Sequence, residues 1–128
     1  MTKIDNEEYN ILHEEDGYLS FWLLVYYISH WNPQMKIHEV YKHTYMKLEK
    51  LIDFNYIEVV EIQWEVKDGV EEEVQRQCIP LNIAKMILNK AETWDRLVSN
   101  GSPSYQLSIT ELGSRAMDIY ENENAEND

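Results

Sequence analysis

His43, Lys47 and Lys50 repeat at i, i+4 and i+7, a spacing that places all three on one stripe if the segment is helical. Such a stripe is what a recognition helix uses to meet phosphates and base edges in a major groove; the alternative is a solvated face opposite an apolar one. No arginine lies between Met1 and Gln75, so this helix lacks the bidentate guanine contact commonest in specific readout. A second set has the opposite sign. Glu61, Glu65, Glu71, Glu72 and Glu73 flank Trp64, and carboxylates around an aromatic suit the covering of a cationic surface, with the ring as anchor and the acids steering encounter. The plain alternative is a charged surface that only maintains solubility.

Other residues argue against catalysis. His38-Glu39-Val40-Tyr41-Lys42-His43 resembles a zinc-protease motif, but its histidines stand five apart. Five helical residues turn by about 500°, leaving the rings about 140° apart rather than on one face. No metal site is expected. Cys78, the only cysteine, has no adjacent basic group to activate it and reads as a buried structural thiol. The four glycines stand singly at 17, 69, 101 and 113, so there is no phosphate-cradling loop, and neither Glu14-Glu15 nor Glu71-Glu72-Glu73 has calcium-loop spacing. The expectation is a non-enzymatic chain without cofactors.

Charge sharpens the choice of partner. The 128 residues carry 11 Lys+Arg against 24 Asp+Glu, a formal net charge of −13. Residues 1–16, 58–76 and 111–128 each contribute −5, whereas 36–50 is locally +2. A field of that sign attracts basic surfaces and repels nucleic acid. A hydrophobic fraction of 44% argues for a folded globule of one domain. The longest apolar run, Phe21 to Ile28, is far shorter than the about 20 residues a membrane helix needs. With no secretory signal at the N-terminus and a lone cysteine, the expected compartment is cytoplasmic.

The elements that would position these groups follow from periodicity and breakers. Asp5 suits the cap of a short helix through His13, and Tyr18 to Trp31 reads as a helix apolar almost all round, with Trp22 and Leu23 expected in the core. Asn32-Pro33 predicts a break, then helices over Gln34–Tyr41 and His43–Asp53, the latter burying Leu48, Leu51 and Ile52. Ile57 to Val66 has the β-branched content of a strand. Asp68-Gly69 signals a hairpin back through Val70 to Cys78, although Val70, Val74 and Cys78 also fit a helix. A two-residue loop opposes Trp64 to Glu73 and Glu65 to Glu72; a three-residue loop opposes Trp64 to Val74 and Val60 to Cys78, the better pairing. Pro80 opens a helix predicted over Leu81–Val98, Tyr105 to Ile109 alternates as a strand, and Thr110 caps a last helix through Tyr120. Residues 1–120 form one domain in this reading, and 121–128 an acidic disordered tail.

Leu48-Glu49-Lys50-Leu51-Ile52-Asp53-Phe54-Asn55-Tyr56-Ile57-Glu58-Val59-Val60 resembles the end of a recognition helix running into the first wing strand of a winged helix-turn-helix. Tyr105-Gln106-Leu107-Ser108-Ile109-Thr110-Glu111-Leu112-Gly113-Ser114-Arg115-Ala116-Met117 resembles the returning strand and the start of the closing helix of PadR-like and MarR-like regulators, in which a Tyr-x-Leu-Thr-x-x-Gly pattern is common. The resemblance covers about half the chain and implies a mainly helical α+β domain with a small antiparallel sheet. The chain departs from it in an extra helix inserted in the wing region and in an acidic wing. Two functions compete. One is an inhibitor or immunity protein that neutralises a basic partner such as a nuclease toxin through Glu61, Trp64, Glu65, Glu71, Glu72 and Glu73. The other, implied by the resemblance, is a homodimeric transcription regulator contacting DNA through His43, Lys47 and Lys50. An adaptor in a larger assembly is a third.

Overall fold

The computed structural model describes residues 2–14, 18–89 and 104–125. Helix α1 (Asn6–His13) starts at an Asp5 capping box: the Glu8 N–H donates to Asp5 Oδ1 at 2.7 Å, and the Asp5 N–H donates to Glu8 Oε1 at 2.8 Å. Two N-terminal donors are thereby satisfied by side chains, as a helix start requires. Strand β1 (Tyr18–Ser20) follows, then α2 (Phe21–Trp31) and α3 (Ile37–Asp53). Strands β2 (Ile57–Lys67) and β3 (Val70–Cys78) form a hairpin; α4 (Leu81–Leu88), β4 (Ser104–Ile109) and α5 (Glu111–Ala125) complete the chain.

The sheet is antiparallel with strand order β1-β4-β2-β3, and β4 pairs with β2 from Ile57↔Ile109 to Ile62↔Ser104. The predicted pairing of these two strands is therefore present. Among the described residues three helices precede β2, the β2–β4 pair closes onto α5, and β3 with α4 intervenes between them. The chain is a mainly helical α+β domain whose element order is compatible with a winged-helix-like fold carrying an inserted strand and helix.

The core lies between one sheet face and the helices. Val59 and Leu107 face each other across β2 and β4, and Leu24, Ile28, Val40, Leu48 and Leu51 pack in the same cluster, each 2% exposed or less. Val40, Thr44, Leu48, Leu51 and Ile52 are the buried side of α3, a spacing of four, four, three and one that keeps them on one face. Thr44 spends its hydroxyl on the Val40 carbonyl at 2.7 Å, which permits a polar group at this depth.

Several local expectations need correction. Tyr18–Ser20 is a strand, not the first turn of α2, because β4 has a second edge and these residues pair with Gln106–Ser108. Leu23 is only partly buried; Phe21, Leu24 and Ile28 hold the interior positions of α2, and the side chain of Trp22 lies outside the described part. The helices expected at Gln34–Tyr41 and His43–Asp53 are one. Pro33 sits in a turn, and no glycine or proline interrupts Ile37–Asp53. Helix α4 ends at Leu88 with Asn89 as its C-cap, and residues 90–98 of the predicted Leu81–Val98 helix fall outside the described residues. Residues 121–125 continue α5 rather than starting a disordered tail, since the Tyr9 hydroxyl donates to Glu121 at 2.7 Å and Lys3 meets Glu123 at 2.9 Å.

The end of α3 is tied to the start of α5. Asn55 adopts φ 61°, the Tyr56 N–H reaches back to the Leu51 carbonyl and the Asn55 N–H to Ile52, a helix-ending turn in which asparagine tolerates the left-handed conformation. Onto this turn comes the next helix. The Thr110 N–H donates to the Tyr56 carbonyl at 3.0 Å, the Thr110 hydroxyl to the Asn55 carbonyl at 2.5 Å, and the Gly113 N–H to Thr110 Oγ1 at 3.0 Å.

Candidate functional site

The β2–β3 hairpin turns at Asp68 and Gly69, with φ of 53° and 78°. Two consecutive positive φ values suit a two-residue turn matched to strand twist, and Asp-Gly is a favoured pair for it. From this turn the register runs Lys67↔Val70, Val66↔Glu71, Glu65↔Glu72 and Trp64↔Glu73; it then shifts between Gln63 and Trp64, and Val60 opposes Cys78. Both expected registers are thus present, the two-residue one near the tip and the other at the base. Val74 is the extra residue between them, which settles 70–78 as a bulged strand rather than a helix.

Register also sorts the site residues by face, because strand side chains alternate. Glu61 and Glu65 share one face with Glu72, whereas Trp64 and Val66 share the other with Glu71 and Glu73. Past Ile62 the hairpin leaves β4 behind, so among the described residues its outer half rests on no other strand. Trp64 is half-buried, while Glu65, Glu71, Glu72 and Glu73 are exposed, as is every residue of β3. Of the five carboxylates Glu61, Glu65, Glu71, Glu72 and Glu73, only Glu73 has a cationic partner among the described residues, Arg76, whose Nε donates at 2.8 Å. Glu61 accepts from the Gln63 amide at 3.0 Å. Val66, Val70 and Val74 add exposed apolar surface on the hairpin (52%, 60% and 49%). The sequence reading missed them as contact residues, although β-branched side chains beside a turn signal were visible.

Cys78 is exposed, not buried, and its thiol lies 3.2 Å from Glu58 Oε2. The hydrogen bond to Glu58, then partial burial, push the thiol pKa above 9.0, so it is a poorer nucleophile than a free cysteine.

The basic stripe lies elsewhere and is occupied. His43 Nε2 contacts Glu7 Oε1; Lys47 Nζ lies 2.5 Å from Asp5 Oδ2 and 3.5 Å from Glu8 Oε2; Lys50 Nζ lies 2.8 Å from Glu8 Oε2. Lys47 is only 17% exposed. The structure therefore brings His43, Lys47 and Lys50 together on one face, as the spacing predicts, but turns that face onto the acids of α1. Glu8 is the residue the sequence reading passed over. It is 0% exposed, with one oxygen on the capping box and the other between two ammonium groups. The Asp-x-x-Glu spacing of Asp5 and Glu8 was the available signal.

This network gives stability a pH dependence. Burial by itself raises the Asp5 pKa, but the hydrogen bonds from Lys47 and the Glu8 N–H outweigh it and hold the carboxyl below 3.8. Burial likewise favours neutral Lys47, and the Asp5 hydrogen bond with the nearby Glu8 charge outweighs it, leaving the ammonium above 10.5. A depressed acid stabilises above its unfolded pKa, about 3.9, and loses that contribution as pH falls through the folded value. A raised lysine stabilises below about 10.4 and loses its contribution as pH rises through the folded value. Urea midpoints should thus fall on the acid side below about pH 4, and Asp5→Asn should flatten that fall. An unchanged acid limb in the variant would show that Asp5 is not a contributor.

No family model, curated protein or solved structure matches this chain. Among the described residues no helix is long and apolar enough to cross a membrane, and no cluster of His, Cys, Asp or Glu has metal-holding geometry.

Proposed function

We propose that this chain is a non-enzymatic, cytoplasmic binding domain that covers a basic protein surface, as an inhibitor or immunity protein does for a nuclease toxin. One observation carries the reading: Lys47 and Lys50 of the predicted contact stripe on α3 are paired internally, while the hairpin presents Glu61, Glu65, Glu71 and Glu72 without cationic partners among the described residues. Carboxylates on one short hairpin lie within a few Debye lengths of one another, roughly 8 Å each at physiological salt, and act as one field on an approaching cation. The rim is acidic, and Trp64 with Val66 supplies apolar contact. The scaffold is winged-helix-like. A DNA regulator of PadR-like or MarR-like type is the second reading, favoured by the element order, but its contact stripe is neutralised by Asp5, Glu7 and Glu8.

The test begins with the neighbouring reading frames, because a basic nuclease domain encoded beside this chain is the expected partner. With that domain immobilised, replacing Glu61, Glu65, Glu71, Glu72 and Glu73 by Gln should slow association by roughly tenfold or more and weaken its salt dependence, with less effect on dissociation. Trp64→Ala should act mainly on dissociation. Unchanged association in the Gln variant would reject the hairpin as the binding surface. Duplex binding near 10⁻⁸ M at about 0.15 M salt, typical of specific regulators, would replace this reading with the second.

A further inference from the structure

Strand β3 stands at one end of the sheet order and pairs only with β2 among the described residues. All nine of its residues are exposed, and among the described residues no strand pairs with its outer edge. Alternate residues on such an edge turn N–H and C=O groups outward with no partner but water, a template for one more strand. Natural proteins blunt edges of this kind with charge and with bulges. Here the bulge at Val74 limits the regular edge to the stretch from Val70 to Glu73, and the blunting charge is entirely negative there: Glu71, Glu72 and Glu73. That choice is selective. A second copy in antiparallel register about this stretch would set acids against acids, and directly opposed like charges destabilise a pair. A strand bearing lysine or arginine meets the reverse condition, with Glu65 on β2 adding to the attraction from the next position inward.

We infer that the open edge of β3 receives an extended, basic segment of the partner as an added strand, so that main-chain hydrogen bonds hold it and the glutamates select it. The inference rests on the binding surface proposed above and specifies its mode. Four to six residues of the partner suffice to span the regular edge at about 3.4 Å per residue. Outward valines at Val70 and Val74 offer contacts for apolar residues between the basic ones.

The experiment uses the full chain and a synthetic peptide alternating lysine with valine, alongside the same peptide N-methylated at alternate residues. Methylation removes donors from one edge and leaves the charge unchanged. Peptides are made with each of the two alternations methylated, since only one faces β3. The unmodified peptide should bind and slow amide exchange in β3, and one of the two methylated peptides should bind at least about tenfold more weakly. Equal binding of all three peptides would overturn strand addition while leaving charge-driven binding intact, provided the Glu→Gln hairpin variant weakens all three alike. Binding that ignores both methylation and the Glu→Gln changes would reject the surface as well as its mode. Absence of binding by any peptide at low salt would overturn the inference, with the surface itself judged on the basic protein domain.

Discussion

Gly113→Ala should unfold this domain at markedly lower denaturant, at a cost of about 3 to 5 kcal/mol. Helix propensity alone predicts the opposite sign, since alanine is favoured over glycine within a helix by about 1 kcal/mol. Sterics decides against it. A Cβ on Gly113 would stand 2.2 Å from the Tyr56 carbonyl oxygen, 2.9 Å from Ile109 Cγ2 and 3.0 Å from the Tyr56 carbonyl carbon. The first and third of these atoms are backbone and cannot rotate aside, and the Tyr56 carbonyl already accepts the Thr110 N–H. Relief requires moving the start of α5 off the turn after α3, which breaks the Thr110 bonds to the Asn55 and Tyr56 carbonyls together. Urea unfolding of Gly113→Ala beside Ser114→Ala, an exposed neighbour, is the measurement. A Gly113 variant as stable as its control would show that the junction is not tight.

That junction also explains why the fold was legible. Leu48 to Val60 and Tyr105 to Met117 carried the resemblance, and they meet in space: the first supplies the Asn55-Tyr56 carbonyls, the second the Thr110 donors and the glycine that lets the helix approach. Residue types set by hydrogen bonding and close approach leave a strong local trace. The β2–β3 hairpin was legible for a similar reason, because Asp68-Gly69 states its turn chemistry. Its register was not, since a bulge at Val74 reconciles two pairings that appear exclusive when each is counted from the turn. Tyr18–Ser20 was misread because its strand state comes from an edge of β4 distant in sequence. The site was half-legible: spacing placed the basic stripe on one face of a helix, but no local pattern says which element that face meets. The answer lies in α1, where long-range pairing of opposite charges absorbed the stripe.

Glu8→Ala is the second change expected to cost heavily, about 3 kcal/mol or more. The carboxylate is fully buried, and its removal leaves the Asp5 N–H without its acceptor and takes a counter-charge from Lys47 and Lys50. Glu8→Gln should cost less, because the amide oxygen can still accept from Asp5 and Lys50, at 43% exposure, can turn to water. A double-mutant cycle of Glu8→Gln with Lys50→Met separates the charge pairing from the cap, and additive losses would show that the two side chains do not couple. The same variants test the stripe as a DNA surface. If α1 acted as a removable cover, neutralising Asp5 and Glu8 would expose His43, Lys47 and Lys50 and create duplex binding with a salt slope of about two or more. The expected outcome is a less stable protein that still binds no duplex, because Ile11 and Leu12 anchor α1 in the core at 2% and 1% exposure whatever charge their neighbours carry. Duplex binding gained by the Asp5→Asn, Glu8→Gln protein would instead make α1 a regulatory cover and move the function to α3.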